Sequence, residues 1–143
     1  MRKNMADYRI GILPGDGTGR EVALEAQRIL DTIEQHTNQG FEQTVIQCGG
    51  QHYIETGEEW AEGSFDFCRE DVDALYLGAI GYPGATLPNG DLAGGSVILG
   101  LRSGLDLYAN LRPIKLSEGV PHTVHGKFTQ IWQPGLVDTT ILR

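Results

Sequence analysis

Short apolar runs alternate with a stretch of helical periodicity in the first half of the chain. Each run ends in a glycine-rich turn, as buried strands often do, and the runs are Tyr8–Leu13, Phe41–Cys48 and Asp73–Ile80. Between the first two, Glu21–Gln35 has apolar residues three and four apart, which predicts an amphipathic helix with Asp16 or Thr18 as its cap. This order predicts an α/β fold with a mainly parallel sheet, with the helix across one face. The expected neighbouring parallel strands are Ile10–Leu13, Thr44–Cys48 and Leu75–Leu77.

The remaining elements are shorter and are separated by loops. The pattern predicts a helix through Tyr53, a second around Glu62–Arg69, and a long loop over Gly81–Gly95. Three further elements complete the prediction: a helix over Gly95–Leu105, a strand over Leu107–Leu111 and a last strand over Val137–Leu142. Pro113 lacks a backbone N–H, so we expect no central strand to continue there. A chain that ends within a strand is expected to be the front part of a longer protein.

Charge is unevenly distributed along the 143 residues. Residues 1–101 carry six Lys or Arg against 16 Asp or Glu, whereas residues 102–143 carry five against three. The acidic first part argues against a nucleic-acid partner, and the small cationic remainder suits a small anion. No apolar stretch is long enough for a membrane span, and no secretory signal is visible. The cysteines, Cys48 and Cys68, are expected to be reduced, inert thiols of a cytoplasmic protein.

The glycine-rich turn in "LPGDGTGREV" suggests a nucleotide, but it matches neither common fingerprint. A dinucleotide motif would need glycine where Arg20 stands, and no Gly-Lys pair followed by Ser or Thr occurs. The turn still exposes backbone N–H groups at a predicted helix start, where an anion or a nucleotide could bind. The alternative, a tight turn with no ligand, remains open on the residues alone.

Two arginines stand at the ends of a mostly apolar segment, "LRSGLDLYANLR". Arg102 on the predicted helix and Arg112 after the predicted strand could converge on a di- or tricarboxylate. Spacing alone favours the alternative, in which one arginine is a surface residue and the other pairs with Asp106. Elsewhere, Ser96 is the expected cap of its helix, and the acidic group Glu58, Glu59 and Glu62 is expected to be solvated.

Four motifs in order carry a family resemblance across nearly the whole chain. They are "LPGDGTGREV", "DALYLGAIGYP", "LRSGLDLYANLRP" and "VDTTILR". Together they resemble the N-terminal portion of the decarboxylating β-hydroxyacid dehydrogenases, the family of isocitrate and 3-isopropylmalate dehydrogenases. The resemblance implies the layered fold of that family and an NAD- or NADP-dependent oxidation of a 2-hydroxy-3-carboxy acid. Loss of CO2, Mg2+ or Mn2+, and a homodimer are implied for the full-length enzyme.

The resemblance also implies roles for individual residues. Arg102, Arg112 and Arg143 would bind the substrate carboxylates, with Ser96, Ile98 and Leu99 lining the substrate pocket. Ile98 and Leu99 are apolar, as in the isopropylmalate enzymes, whereas Ser96 is similar to the isocitrate enzymes; isopropylmalate is favoured, with tartrate, D-malate, isocitrate and homoisocitrate as alternatives. The implied cofactor-binding residues are Thr18, Gly81, Tyr82, Pro83, Thr86 and Gly95.

One departure from the family pattern is Gly19-Arg20-Glu21, where the family has Gly-Pro-Glu. The family's catalytic residues and metal ligands would follow Arg143, so no metal site is expected in this chain and the 143 residues alone should be inactive. The resemblance implies two domains: residues 1–101 start the cofactor-binding domain, and residues 102–143 start a substrate and dimerisation domain. A non-catalytic α/β module, acting as an interaction domain or a half-enzyme, remains the alternative.

Overall fold

The computed structural model describes residues 8–124, 126–129 and 132–143. The chain divides into two compact units, a larger one that ends at Asp106 and a smaller one from Leu107 to Arg143. Among the described residues, no helix has both the length and the apolar character needed to cross a membrane. The domain division implied by the family resemblance stays a prediction.

The larger unit contains a three-stranded parallel sheet in the order β2-β1-β3. Its strands are β1 (Tyr8–Leu13), β2 (Phe41–Val45) and β3 (Ala74–Leu77), and its helices are α1 (Thr18–His36), α2 (Gly50–Thr56), α3 (Ser64–Glu70) and α4 (Gly95–Gly104). In the central strand, Ile12 pairs with Val45 on one side and with Tyr76 on the other. The predicted α/β class with a parallel sheet is confirmed.

Helices cover both faces of this sheet, because successive side chains of a strand point to opposite sides. Ile10 and Ile12 face α1, where they line an apolar groove of about 300 Å³ with Ala26, Ile29 and Leu30. Leu13 faces the other way, into the main buried cluster, which contains Leu13, Ile46, Cys48, Cys68, Val97 and Leu101. This second face therefore packs against α3 and α4, and the position of α4 depends on the burial of its Val97 and Leu101.

The smaller unit is built on an antiparallel ribbon of β4 (Leu111–Lys115) and β7 (Asp138–Leu142), with a second hairpin of β5 (His122–Val124) and β6 (Lys127–Thr129). The predicted strand over Leu107–Leu111 is wrong, because β4 starts at Leu111 and runs through Pro113. Pro113 pairs with Thr140. The neighbouring pairs show why proline fits here. Asn110 and Arg143 exchange both backbone hydrogen bonds, at 2.9 and 3.0 Å. Hydrogen-bonded and non-hydrogen-bonded pairs alternate along an antiparallel ribbon, so Pro113, three residues after Asn110, stands in a non-hydrogen-bonded pair and donates no bond to β7.

Candidate functional site

Asp16 joins the segments that follow all three strands of the parallel sheet. It is 2% exposed, although it carries a carboxylate. Its Oδ2 accepts hydrogen bonds from the N–H groups of Gly50 at 2.8 Å and Gly81 at 2.9 Å, and its Oδ1 accepts one from Gln51 at 2.8 Å. Its own N–H donates to the carbonyl of Ala79 at 2.7 Å. One side chain thus holds together the turn after β1, the start of α2 and the loop after β3.

The start of α2 explains why this carboxylate is needed. The N-cap residue is Gly49, with a φ of 107° and no side chain to accept from the first N–H groups of the helix. A Cβ at Gly49 would lie 2.6 Å from Asp16 Oδ2, so a larger cap residue is excluded there. Asp16 therefore supplies, from 34 residues away, the acceptor that a local cap would provide. The predicted capping of α1 by Asp16 or Thr18 is wrong, since Gly17 is the N-cap and no side chain caps that helix.

Glu59 has the same relation to α4. The N-cap of α4 is Gly94, with a φ of 103°, and a Cβ there would collide with Cγ2 of Ile80. Glu59 Oε1 accepts a hydrogen bond from the N–H of Gly94 and another from that of Ser96 at 3.3 Å. Two predictions are therefore wrong: Ser96 is not the cap, because Gly94 precedes the helix, and Glu59 is not a purely solvated acid.

The proposed cofactor-binding residues lie near the carboxyl ends of the parallel strands, where ligands of open α/β sheets usually bind. Thr18 is the exposed first residue of α1. Gly81, Tyr82 and Pro83 form an exposed loop after β3, which Asp16 ties to the turn preceding α1. The other two residues are Thr86 and Gly95. Thr86 is exposed and forms an isolated β-bridge with Leu92, and Gly95 is the first residue of α4. The exposed and uncapped start of α1 is compatible with hydroxyl or phosphate oxygens of a nucleotide.

The proposed substrate residues of the larger unit all lie on α4. Leu99 is 62% exposed, and Arg102, one helical turn further on, is also exposed. Residues three apart are neighbours on a helix surface, so an apolar side chain and a cation are adjacent there. Ile98 is half-buried, and Ser96 is exposed in the first turn. Within the described part of the larger unit, Arg102 has no acidic partner within 4.0 Å, so the alternative of an ion pair with Asp106 does not apply to it.

The other two arginines, Arg112 and Arg143, lie on one face of the β4–β7 ribbon. Arg112 pairs with Ile141, and Asn110 is bonded to Arg143, so both arginines belong to the same set of alternating positions. Both are exposed, and the Nε of Arg112 donates a hydrogen bond of 3.4 Å to Asn110 Oδ1. Neither has an acidic partner within 4.0 Å among the described residues of the smaller unit. Convergence of Arg102 on this pair stays a prediction.

Neither cysteine has the features of a reactive thiol. Cys48 and Cys68 are free and buried. Burial raises the pKa of Cys48 to about 11, and the nearby Asp16 carboxylate acts in the same direction. Burial also raises the pKa of Cys68. Because the thiolate is the reactive form, both side chains act as small apolar groups of the core at neutral pH.

Metal binding has no support in the described residues by themselves. Over residues 8–124, 126–129 and 132–143, no group of three or more His, Cys, Asp or Glu side chains could hold an ion. We therefore derive no chemical step through a metal ion from these residues.

The larger unit is a parallel α/β sheet with loops at its carboxyl edge, and the smaller unit contains a ribbon that carries two arginines. The sequence model of the isocitrate/isopropylmalate dehydrogenase family matches residues 9–143. The chain belongs to this family. The resemblance in its four motifs is thereby confirmed at the level of the family.

Individual relatives agree with that assignment. The 3-isopropylmalate dehydrogenase of Thermotoga maritima is 38% identical over 115 residues, covering 80% of this chain and 32% of the relative. That of Synechococcus sp. strain CC9902 is 42% identical over 114 residues, or 78% of this chain and 31% of the relative. A crystal structure of the apo β-decarboxylating dehydrogenase from Thermococcus kodakarensis aligns with a TM-score of 0.59 at 29% identity, covering 95% of this chain and 41% of the other. The chain spans about a third of the length of these curated relatives.

Proposed function

We propose that this chain is the N-terminal part of an NAD(P)-dependent dehydrogenase that oxidises and decarboxylates a 2-hydroxy-3-carboxy acid, with 3-isopropylmalate favoured. Membership of the family supports the reaction class. The relatives named 3-isopropylmalate dehydrogenase support the favoured substrate. When bound, the nicotinamide would accept a hydride from the hydroxyl-bearing carbon of the acid. The divalent metal in this proposal rests on the family resemblance.

The observation that carries the substrate choice is the pairing of Leu99 with Arg102 on α4. An exposed leucine beside an exposed arginine suits a ligand that joins an alkyl branch to a carboxylate. Burying an alkyl branch against Leu99 gains about 0.8 kcal/mol per methylene group, whereas a third carboxylate at that position would lose hydration without gaining a partner. Isocitrate, whose third carboxylate would occupy this position, is therefore disfavoured.

Arg112 and Arg143 supply the second part of the proposed anion site. Two guanidinium groups on one face of a ribbon can each form paired hydrogen bonds with a carboxylate. In this proposal they bind the carboxylates of the acid, and Arg102 joins them in the intact enzyme. We also propose a homodimer in a reducing cytoplasm; the two free, buried cysteines are compatible with that compartment.

The test is a substrate panel on the enzyme that contains this chain as its first part. Reduction of NAD+ and NADP+ is followed with 3-isopropylmalate, isocitrate, homoisocitrate, tartrate and D-malate, with Mg2+ or Mn2+ and with chelator. We expect the highest kcat/KM for 3-isopropylmalate, and no turnover by the 143-residue chain alone. An enzyme inert with every acid would refute the proposed function. Metal-dependent turnover by the 143-residue chain would show that the catalytic groups lie within it.

A further inference from the structure

We propose that Glu59 is a positioning residue, which sets the orientation of α4 and thereby of the substrate side chains on that helix. The proposal rests on the proposed function for the identity of what α4 binds. Two observations favour it: the carboxylate accepts from both Gly94 and Ser96 at the start of the helix, and the cap residue has no side chain of its own.

The contact is placed where it can control the direction of the helix. The first N–H groups of a helix have no partner within it, and an acceptor held by another segment attaches that end of the helix to the segment. The segment around Glu59 is itself anchored. The Glu59 carbonyl oxygen accepts a hydrogen bond from the N–H of Gly49 at 2.8 Å, and Trp60 forms a β-bridge with Cys48. Glu59 thus attaches the start of α4 to the connection between α2 and α3.

The rest of α4 is held by apolar packing, which restrains the helix less specifically. Val97 and Leu101 are buried against the core, whereas Leu99 and Arg102 face outward. Buried apolar contacts keep the helix on the sheet but tolerate a small rotation or shift along its axis. The two hydrogen bonds to Glu59 remove that freedom at the end nearest Ser96. Loss of the carboxylate should therefore displace the substrate side chains without unfolding the unit.

The first experiment measures backbone amide exchange in the 143-residue chain and needs no turnover. In Glu59→Ala, exchange at Gly94 and Ser96 should accelerate by about five-fold or more, because losing a cap opens the first turn of a helix. Exchange at Gln51, whose acceptor is Asp16, should stay unchanged. Glu59→Gln should retain most of the protection, since its amide oxygen can still accept. Unchanged exchange at Gly94 and Ser96 in Glu59→Ala would overturn the proposal.

The second experiment measures kinetics in the enzyme that contains this chain. Glu59→Ala should raise KM for the hydroxy acid by about three- to ten-fold with little change in kcat, and Glu59→Gln should restore it. Glu58→Ala removes the same charge from the exposed neighbouring position and serves as the control. Equal effects of Glu58→Ala and Glu59→Ala on this KM, or a loss in kcat with KM unchanged, would overturn a positioning role. If no acid is turned over, the proposed function fails, and amide exchange alone decides whether Glu59 holds α4.

Discussion

Removing the Asp16 carboxylate tests whether a single side chain organises the carboxyl edge of the sheet. Asp16→Ala removes the acceptors of three backbone N–H groups, those of Gly50, Gln51 and Gly81. Asp16→Asn keeps the shape of the side chain but replaces one acceptor oxygen with an NH2 group. Since both oxygens of Asp16 accept hydrogen bonds, that NH2 group must face a backbone N–H in either orientation.

The magnitude follows from the contacts. Hydrogen bonds to a charged group contribute about 1.5–3 kcal/mol each, so three would sum to roughly 5–9 kcal/mol. Two effects reduce that sum: burying the carboxylate itself costs free energy, and the exposed Gly81 segment can bond to water once Asp16 is absent. The expected loss in the free energy of unfolding is about 3–5 kcal/mol for Asp16→Ala, as found when one partner of a buried charged contact is removed. For Asp16→Asn, which in its better orientation leaves one N–H unpaired, that of Gln51, we expect roughly 2–3 kcal/mol.

Urea unfolding of the 143-residue chain measures this loss. The control is Glu34→Ala, an exposed acid of α1, which should change the free energy of unfolding by less than about 0.5 kcal/mol. Because small domains are stable by only about 5–15 kcal/mol, Asp16→Asn is the more informative variant if Asp16→Ala does not fold. Amide exchange at Gly50, Gln51 and Gly81 should accelerate in the same variant. If Asp16→Asn and Glu34→Ala unfolded at the same urea concentration, the proposed role of Asp16 would be refuted.

Three further predictions follow from particular residues. Gly94→Ala should destabilise the chain by about 1–3 kcal/mol in urea unfolding, because its Cβ collides with Ile80 and its φ is left-handed; a loss below that range would show that the turn adapts. Stability should fall between pH 9.0 and about 11, since the unfolded thiol of Cys48 ionises first while the folded thiol keeps its proton. Cys48→Ala should reduce that fall, and an identical pH profile for both proteins would contradict it. Arg112→Ala should lower kcat/KM of the intact enzyme by about ten-fold or more and Arg112→Lys by less, whereas Lys115→Ala should have little effect; equal losses would indicate general charge attraction instead.

The sequence by itself determined the local elements of the larger unit and the family. Apolar runs placed β1 and β3, and helical periodicity placed α1, because these patterns report which side of each element is buried. The four motifs identified the family, since each combines a turn or strand with residues of defined chemistry. The arginines were recognisable as candidates because a permanent cation beside an apolar segment requires an anionic partner.

Only the tertiary structure decided which side chains complete these elements. Asp16 and Glu59 cap helices that begin 34 and more residues away, and no local pattern encodes such a contact. The signal that could have revealed them is a glycine at each N-cap, which leaves the helix without an acceptor of its own. The shared face of Arg112 and Arg143 follows from the register of β4 with β7, which pairing across the ribbon sets. The sequence specifies local conformation through steric preference and burial, whereas distant partners are chosen by the folded chain, where each buried N–H must find an acceptor.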